Sequence, residues 1–422
     1  MDRPRTVAPR VLTRFEYCFT VLVLLFASDA VLPLIRRGSE AGSDPTQTDP
    51  LFQVLWAVVG IVIAVLLALR WRRTLNAALN DTIVWLLIGY AFLTVAWSLD
   101  PWLTVRKTIA IASASLVGLY MGSRFNIRDQ LRLIVVTIAL AAVMSILCVV
   151  AAPGYGIQSV PHTGAWRGVF AHKNSLGMLM TLGMASMILV PARTALERAG
   201  IWSGWLLCVL LILMSTSQSA MVISIVVLGM IALVKVFRAK GPARILIVSA
   251  LLPAIAWSGY LLWSHLDSAL DLLGRDVTLT GRTGLWGAVV DAISARWLLG
   301  YGYGTFWAET GGPSASVAAH VGWDPAHAHN GFLDLWLDVG MVGCAVLSVG
   351  LAKALYRGGR LALNARYLVD LWPAIFLLFI LLYNCVESAL LRRNVFWVLY
   401  VATVTTLSRA PGKVSTANSA HT

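Results

Sequence analysis

The chain is short of charge. Only 13% of its 422 residues are Asp, Glu, Lys or Arg, where a soluble globular domain carries about a quarter. Acid is the scarcer sign: 20 Asp and Glu stand against 33 Lys and Arg. Cysteine is sparse too. Cys18, Cys148, Cys208, Cys344 and Cys385 lie far apart, mostly inside apolar runs. They form no CxxC pair and no Cys/His cluster at metal spacing, so they read as small core residues. Period-two alternation of polar and apolar residues is missing, which argues against a β-barrel. No basic patch is interleaved with exposed aromatics, so the net charge of +13 does not point to nucleic acid. No internal repeat stands out. The glycine run Gly300-Tyr-Gly-Tyr-Gly304 lacks the GxGxxG spacing and flanking strand of a nucleotide loop and reads as a turn-rich hinge.

What the chain has in abundance is apolar length. It is 58% hydrophobic, with a mean hydropathy of +0.77. Apolar runs recur from end to end, long enough to cross a hydrocarbon core of about 30 Å. They predict an all-α polytopic membrane protein with about twelve transmembrane helices, near 17–35, 51–69, 82–97, 106–122, 131–152, 173–191, 201–214, 218–236, 244–263, 329–352, 371–386 and 394–408. The first run follows Arg3, Arg5, Arg10 and Arg14 like a signal peptide, but reads as an uncleaved first helix.

Basic residues test this topology. With the N-terminus inside, Arg70–Arg73, Arg124–Arg132, Arg193–Arg198, Lys235–Arg244, Lys353–Arg366 and Arg409–Lys413 all mark inner connections, as the positive-inside bias requires. The chain then divides into an inner N-terminal tail (1–16), spans one to nine (17–263), a large outer loop (264–328), spans ten to twelve (329–408) and an inner C-terminal tail (409–422). The outer loop is too long for a mere connector. It contains a helical pattern after Thr283, a candidate cap, with Leu285, Trp286, Val289, Val290 and Ile293 at three-to-four spacing. The basic residues left on the outer face, among them Arg106, Lys107, Arg167, Lys173, Arg282, Arg392 and Arg393, stand against the bias.

Three outer-face motifs carry candidate chemistry. Arg167-Gly-Val-Phe-Ala-His172-Lys173-Asn174 precedes the sixth span. A guanidinium fork, an ammonium and free helix N–H groups gathered at a membrane entry would hold a phosphate; the bland alternative is snorkelling to lipid head groups. Gly281-Arg282-Thr283-Gly284 lies in the large loop, where Arg282 is either a solvated residue beside a helix cap or the second half of a phosphate clamp with Arg167. Third is His327-Ala-His329-Asn330-Gly-Phe-Leu-Asp334-Leu-Trp-Leu-Asp338-Val-Gly340-Met-Val-Gly343. Imidazole titrates near neutral pH and can take a proton from a hydroxyl. His329 leads directly into a span, Asn330 can orient it or a substrate, and Gly340 and Gly343 permit close helix packing. A satisfied buried histidine is the bland reading. His327 and His329, with no carboxylate or thiolate nearby in sequence, make a weak zinc signal, and no metal is assigned. Trp97-Ser-Leu-Asp100-Pro101 and Ser215-Thr-Ser-Gln218-Ser219 are lesser polar boundary groups, as readily caps and turns as functional.

Taken in order, RGVFAHKNSLG, STSQSA, GRTGLW, GYGYGTFW and HNGFLDLWLDVGMVG resemble the O-antigen ligase and polymerase superfamily, the Wzy-C or WaaL-type domain. The FAHKN and GRT forms look most like its ExoQ-type exopolysaccharide polymerases. The resemblance implies a GT-C-type membrane glycosyltransferase with the large loop periplasmic, between spans nine and ten, in the bacterial inner membrane. It implies transfer of a glycan from undecaprenyl diphosphate to an acceptor sugar hydroxyl, with inversion, without metal and without cofactor. It places the catalytic histidine at His329 rather than His327 and the diphosphate-binding arginines at Arg167 and Arg282. Lys173 is a further diphosphate contact by position, with His172, Asn174 and Asn330 in support. The expected partners are an undecaprenyl-diphosphate-linked oligosaccharide, an acceptor glycan or lipid A core, membrane lipids and a chain-length regulator. Polymerising exopolysaccharide or O-antigen repeat units is the leading expectation, with ligation to lipid A core as the alternative. A polysaccharide or lipid transporter is the alternative of another class, disfavoured because no repeated halves are evident.

Overall fold

A computed structural model describes residues 10–30, 50–159, 162–238, 282–308 and 311–409. Within them the chain is helical, with one isolated bridge between Ile157 and Trp166 as its extended pairing. The first half comprises α1 (Arg10–Ala27), α2 (Pro50–Ala68), α3 (Trp71–Asn80), α4 (Ile83–Leu93), α5 (Pro101–Arg124), α6 (Ile127–Ala151) and the short α7 (Pro153–Gly156). Then come α8 (Lys173–Leu189), α9 (Ala195–Met214), α10 (Gln218–Arg238), α11 (Arg282–Ala295), α12 (Pro313–Val321), α13 (Gly331–Leu363), α14 (Trp372–Asn384) and α15 (Val395–Ser408).

Each apolar segment except the ninth falls on a described helix; 244–263 lies outside the described residues, as do residues 31–35 of the first and 264–281 of the large loop. Among the described residues, α6, α9 and α13 are long and apolar enough to cross a membrane by length and composition. A fourth span results if α2 and α3, bent by 100° at their junction, count as one. The apolar stretches Ile83–Trp97, Gln218–Val234, Gly284–Ala295, Leu368–Asn384 and Val395–Ser408 are shorter. Large apolar side chains such as Ile61, Leu86, Leu147, Leu206 and Ile225 stand exposed on the outside, the surface a transmembrane protein turns to lipid. Helix α3 was not evident from hydropathy: Arg72 and Arg73 break the apolar run that continues α2.

Local chemistry explains the helix starts. Asp100 accepts the Leu103 N–H at 2.9 Å and caps α5, with Pro101 in the first turn. Asn126, Thr194 and Asn394 cap α6, α9 and α15 in the same way. Helix α1 begins well before the expected Tyr17, and an ion-paired Glu16 anchors it to the bundle ahead of that point. Glu16 is fully buried, 2.6 Å from Arg70 and 2.8 Å from Arg124. The early end of α1 and the late ends of α2 and α5 therefore meet on one side of the bundle. Asp81, before α4, similarly meets Lys353 and Arg357 of α13, each at 3.6 Å.

The feature that shapes the site is a break in α13. Gly340 takes φ +63°, ψ −172° inside an otherwise continuous helix. The carbonyls of Leu337 and Asp338 accept the N–H groups of Tyr301 (2.7 Å) and Gly302 (3.2 Å), while the N–H groups of Met341 and Val342 donate to Trp297 (2.9 Å) and Leu298 (3.3 Å). The glycine-rich hinge thus supplies the partners that the helix forgoes, as irregular backbone inside a membrane protein requires. A Cβ at Gly340 would collide with the Leu298 carbonyl. The role expected for Gly340 is corrected accordingly: it admits a loop rather than another helix. Gly343 does serve packing, facing Tyr90 of α4.

Candidate active site

The loop 326–330 is held from both ends of one peptide. Ala328 donates its N–H to Asp334 Oδ1 at 3.0 Å, and its carbonyl accepts from Trp286 Nε1 of α11 at 2.9 Å. Asp334, nearly fully buried, also accepts from Trp307 Nε1 at 2.7 Å and from the Ser388 hydroxyl. Asn330 caps α13, its side-chain oxygen accepting from Phe332 (3.0 Å) and Leu333 (3.3 Å). That oxygen is committed to the helix, so the structure gives Asn330 a capping task where the sequence suggested contact with substrate. His329 sits between these fixed points with φ +49°, a left-handed conformation uncommon outside glycine. Its N–H donates to His327 Nδ1 at 3.1 Å, and the two rings lie 4.0 Å apart edge to face.

Opposite the histidines stands a residue the motifs did not reveal. Glu387 lies in the loop between α14 and α15 and is 8% exposed. The loop is folded by Asn384, whose side-chain oxygen accepts from Ala389 (3.0 Å) and Leu390 (3.1 Å). One carboxylate oxygen, Oε2, lies 3.4 Å from His329 Nδ1 and 3.8 Å from His327 Nε2. The other, Oε1, accepts from Asn174 Nδ2 at 2.9 Å and lies 3.8 Å from Arg282. Arg282 also donates to the Val386 carbonyl at 3.2 Å. Asn174 in turn accepts from the Ser217 hydroxyl at 3.0 Å. Residues from four separate sequence motifs therefore converge around one carboxylate.

The electrostatics follow from this arrangement. Burial alone would push the Glu387 carboxyl up. The close approach of His329, 3.4 Å away, and the positive charges about it outweigh burial and hold it at about 2. His327 is pushed down by burial and by repulsion from His329, so it is neutral near pH 7. The fixed positive charge beside Glu387 is therefore that of Arg282, 3.8 Å away. Because His327 Nδ1 accepts a backbone N–H, its proton sits on Nε2, toward Glu387. Because His329 Nδ1 faces the carboxylate, its proton sits there and Nε2 carries the lone pair. A histidine aligned by a carboxylate through Nδ1 is an arrangement suited to a general base.

The phosphate candidates divide. Arg282 joins the Glu387 cluster. Lys173, buried at the first turn of α8, reaches the Thr216 hydroxyl at 3.4 Å. Arg167 has a different set of contacts: it donates to the Tyr155 carbonyl at 2.5 Å and to the Ala171 carbonyl at 3.5 Å, and stacks on the Tyr155 ring at 4.6 Å. His172 accepts the Asn174 N–H at 3.2 Å and caps α8. Burial first, then repulsion from His162, Lys173 and His329, lowers its pKa to about 4. His172 is thus neutral at physiological pH, and the positive charge of that motif comes from Arg167 and Lys173. In the large loop, α11 begins at Arg282, one residue ahead of the expected Thr283 cap.

His327, His329 and Glu387 could also hold a metal ion, since one ligand atom from each lies within 4.8 Å of the others. The sequence argument against a metal relied on a missing carboxylate, and the fold provides one. Arg282 at 3.8 Å from the same carboxylate opposes a second cation there.

Glu387 left a faint signal in the sequence. It is an acidic residue in an acid-poor chain, placed where an apolar run ends, and ionisable groups at such positions have functional weight by default. No local motif marked it, and its partner Asn174 is 213 residues away.

Residues 204–348 match the Wzy_C family model, described as O-antigen ligase. That stretch contains Arg282 and His329, whereas Asn174 and Glu387 lie outside it. The chain is also similar to the exopolysaccharide production protein ExoQ of Rhizobium meliloti (strain 1021), with 25% identity over 305 residues, covering 69% of this chain and 68% of that protein.

Proposed function

We propose that this protein is an inverting, metal-independent membrane glycosyltransferase that moves a glycan from undecaprenyl diphosphate to an acceptor sugar hydroxyl at the periplasmic face of the bacterial inner membrane. Its task in this reading is to join repeat units of an exopolysaccharide or O-antigen. The observation that carries the reading is the Glu387–His329 pair at 3.4 Å, with Arg282 against the same carboxylate, inside a chain similar to an O-antigen ligase family and to ExoQ.

The chemistry follows from the groups present. His329 Nε2 takes the proton of the acceptor hydroxyl as its oxygen attacks the anomeric carbon from the face opposite the leaving group. The bond from that carbon to the diphosphate oxygen breaks, and undecaprenyl diphosphate leaves with the electron pair. A diphosphate is a good leaving group, so no strong general acid is needed. Arg282, with Lys173 and Arg167 at the entry to α8, offsets the charge that grows on it. Glu387 holds the His329 ring and stabilises the imidazolium formed on proton transfer. The apolar helices keep the polyprenyl tail in place, so encounter with the donor is confined to the membrane plane. Twelve crossings with both termini cytoplasmic would put these groups on the periplasmic side.

Ligation to lipid A core is the second reading, favoured by the family description over residues 204–348. Purified protein given an undecaprenyl-diphosphate oligosaccharide decides between them. Chain extension from donor alone marks a polymerase. Product that forms only with a lipid A core acceptor marks a ligase. No glycan transfer under either condition contradicts both.

A further inference from the structure

A transferase needs room for two substrates, and the proposed function sets the donor diphosphate against Arg282, Lys173 and Arg167. A cleft of about 290 Å³ lies against His327, walled by Lys107 of α5, Gly304, Trp307, Asp338 of the broken α13 and Arg392. None of Lys173, Asn174, Arg167 and Arg282 lines it. His327 lines the cleft, and the His329 ring lies 4.0 Å from it. We propose that this cleft is the acceptor subsite and that it takes the terminal sugar ring of the acceptor glycan. The proposal rests on the reading of His329 as the base.

The walls argue for a sugar over an anion or a lipid chain. Most of their charge is offset within the protein: Arg392 lies 3.1 Å from Asp338, Arg393 stands in the field of Asp29, and Lys107 Nζ donates to the Gly304 carbonyl at 2.5 Å. A diphosphate is held best by several uncommitted cations, whereas Lys107 here is committed to a carbonyl; an acyl chain is disfavoured by charged walls. A paired guanidinium and carboxylate offer donor and acceptor side by side, which suits hydroxyls that both give and receive hydrogen bonds. Trp307 adds an indole held in one orientation by its bond to Asp334, an apolar face for the C–H side of a ring. The volume lies at the lower end of small-molecule sites, which start near about 300 Å³, so the cleft fits the end of a glycan and leaves the rest outside. Ala326, exposed at its rim, marks the mouth. The wall is prearranged because the Gly340 break fixes the hinge that carries Gly304 and leads into Trp307.

Two substitutions obstruct the cleft while leaving its charged pairs in place. Ala308→Phe fills it from within, and Ala326→Trp closes the mouth from a solvent-facing position that tolerates bulk. The probe is a fluorescently labelled repeat-unit oligosaccharide, with an undecaprenyl-diphosphate oligosaccharide as donor. In each variant the acceptor KM should rise roughly tenfold or more while the donor KM stays within about twofold. Binding of the labelled oligosaccharide to His329→Ala protein, which needs no turnover, should be retained and then lost when Ala308→Phe or Ala326→Trp is added. Unchanged acceptor KM and binding in both variants would overturn the proposal, as would a rise in donor KM instead. Full transfer by His329→Ala protein would refute the base and leave the binding result to judge the cleft separately.

Discussion

Glu387 turns one carboxylate oxygen to Nδ1 of His329 at 3.4 Å, and the two residues come from the loop before α13 and the loop after α14. Everything proposed about the reaction depends on that alignment, because it leaves Nε2 of His329 free to accept a proton. Glu387→Gln keeps the size and the contact with Asn174 but removes the charge that stabilises the imidazolium. Its kcat should fall about 10²-fold or more with donor KM little changed. Steady-state kinetics on the purified variant, alongside its thermal stability, check this. A loss of stability that accounts for the whole loss of rate would give Glu387 a structural task alone.

The buried histidine of the FAHKN motif makes a prediction about acid. His172 has a pKa lowered to about 4 by burial, against about 6.5 in an unfolded chain. The unfolded state therefore binds the proton first. The stability of the neutral form is fully present above about 6.5 and declines as pH falls towards 4. Between pH 7 and pH 5 the wild type should lose about 1–2 kcal/mol that His172→Gln does not lose. Glu387, held at about 2, stays ionised in the folded protein over this range, and its small contribution, from the unfolded chain near pH 5, is common to both proteins. Thermal unfolding at the two pH values tests the sign, and equal losses in the two proteins would contradict it.

Gly340→Ala places a Cβ against the Leu298 carbonyl at a backbone angle of φ +63°. The break in α13 then either strains or closes, and the hinge 297–304 loses its partners. Destabilisation by about 2 kcal/mol or more is expected, with loss of transfer despite an intact His329. Gly359→Ala, where a Cβ meets open space, serves as the control. A Gly340→Ala protein as stable and active as that control would remove the break from the account.

Chelation separates proton chemistry from metal chemistry at the His327–His329–Glu387 group. With the base reading, transfer by protein dialysed against EDTA matches the untreated enzyme. Activity that disappears on dialysis and returns with zinc would make the same residues a metal centre.

How much of this was legible in the sequence varied with the distance over which a residue acts. Helices with a described counterpart were readable from hydropathy, since burial in lipid depends on composition along a single segment. The Asp100 cap was readable as one of two alternatives because a cap acts within three residues; the Asn394 cap went unread. Asn330 has the same signature, a polar residue before an apolar run, yet its neighbour His329 invited a catalytic reading. The break at Gly340 was not legible, because a Gly-x-x-Gly spacing reads equally as helix packing until the hinge that fills the gap is seen. Glu387 was invisible for a stronger reason. Its meaning comes from Asn174, Arg282 and His329, which reach it from three distant segments.

The most direct test is a single-turnover assay of purified wild type and His329→Ala protein with a radiolabelled undecaprenyl-diphosphate oligosaccharide and acceptor. The account predicts a new glycosidic bond and equimolar undecaprenyl diphosphate from wild type. It predicts a rate lower by about 10² to 10⁴-fold from the variant, at unchanged donor binding. Wild-type rates from His329→Ala protein would contradict it.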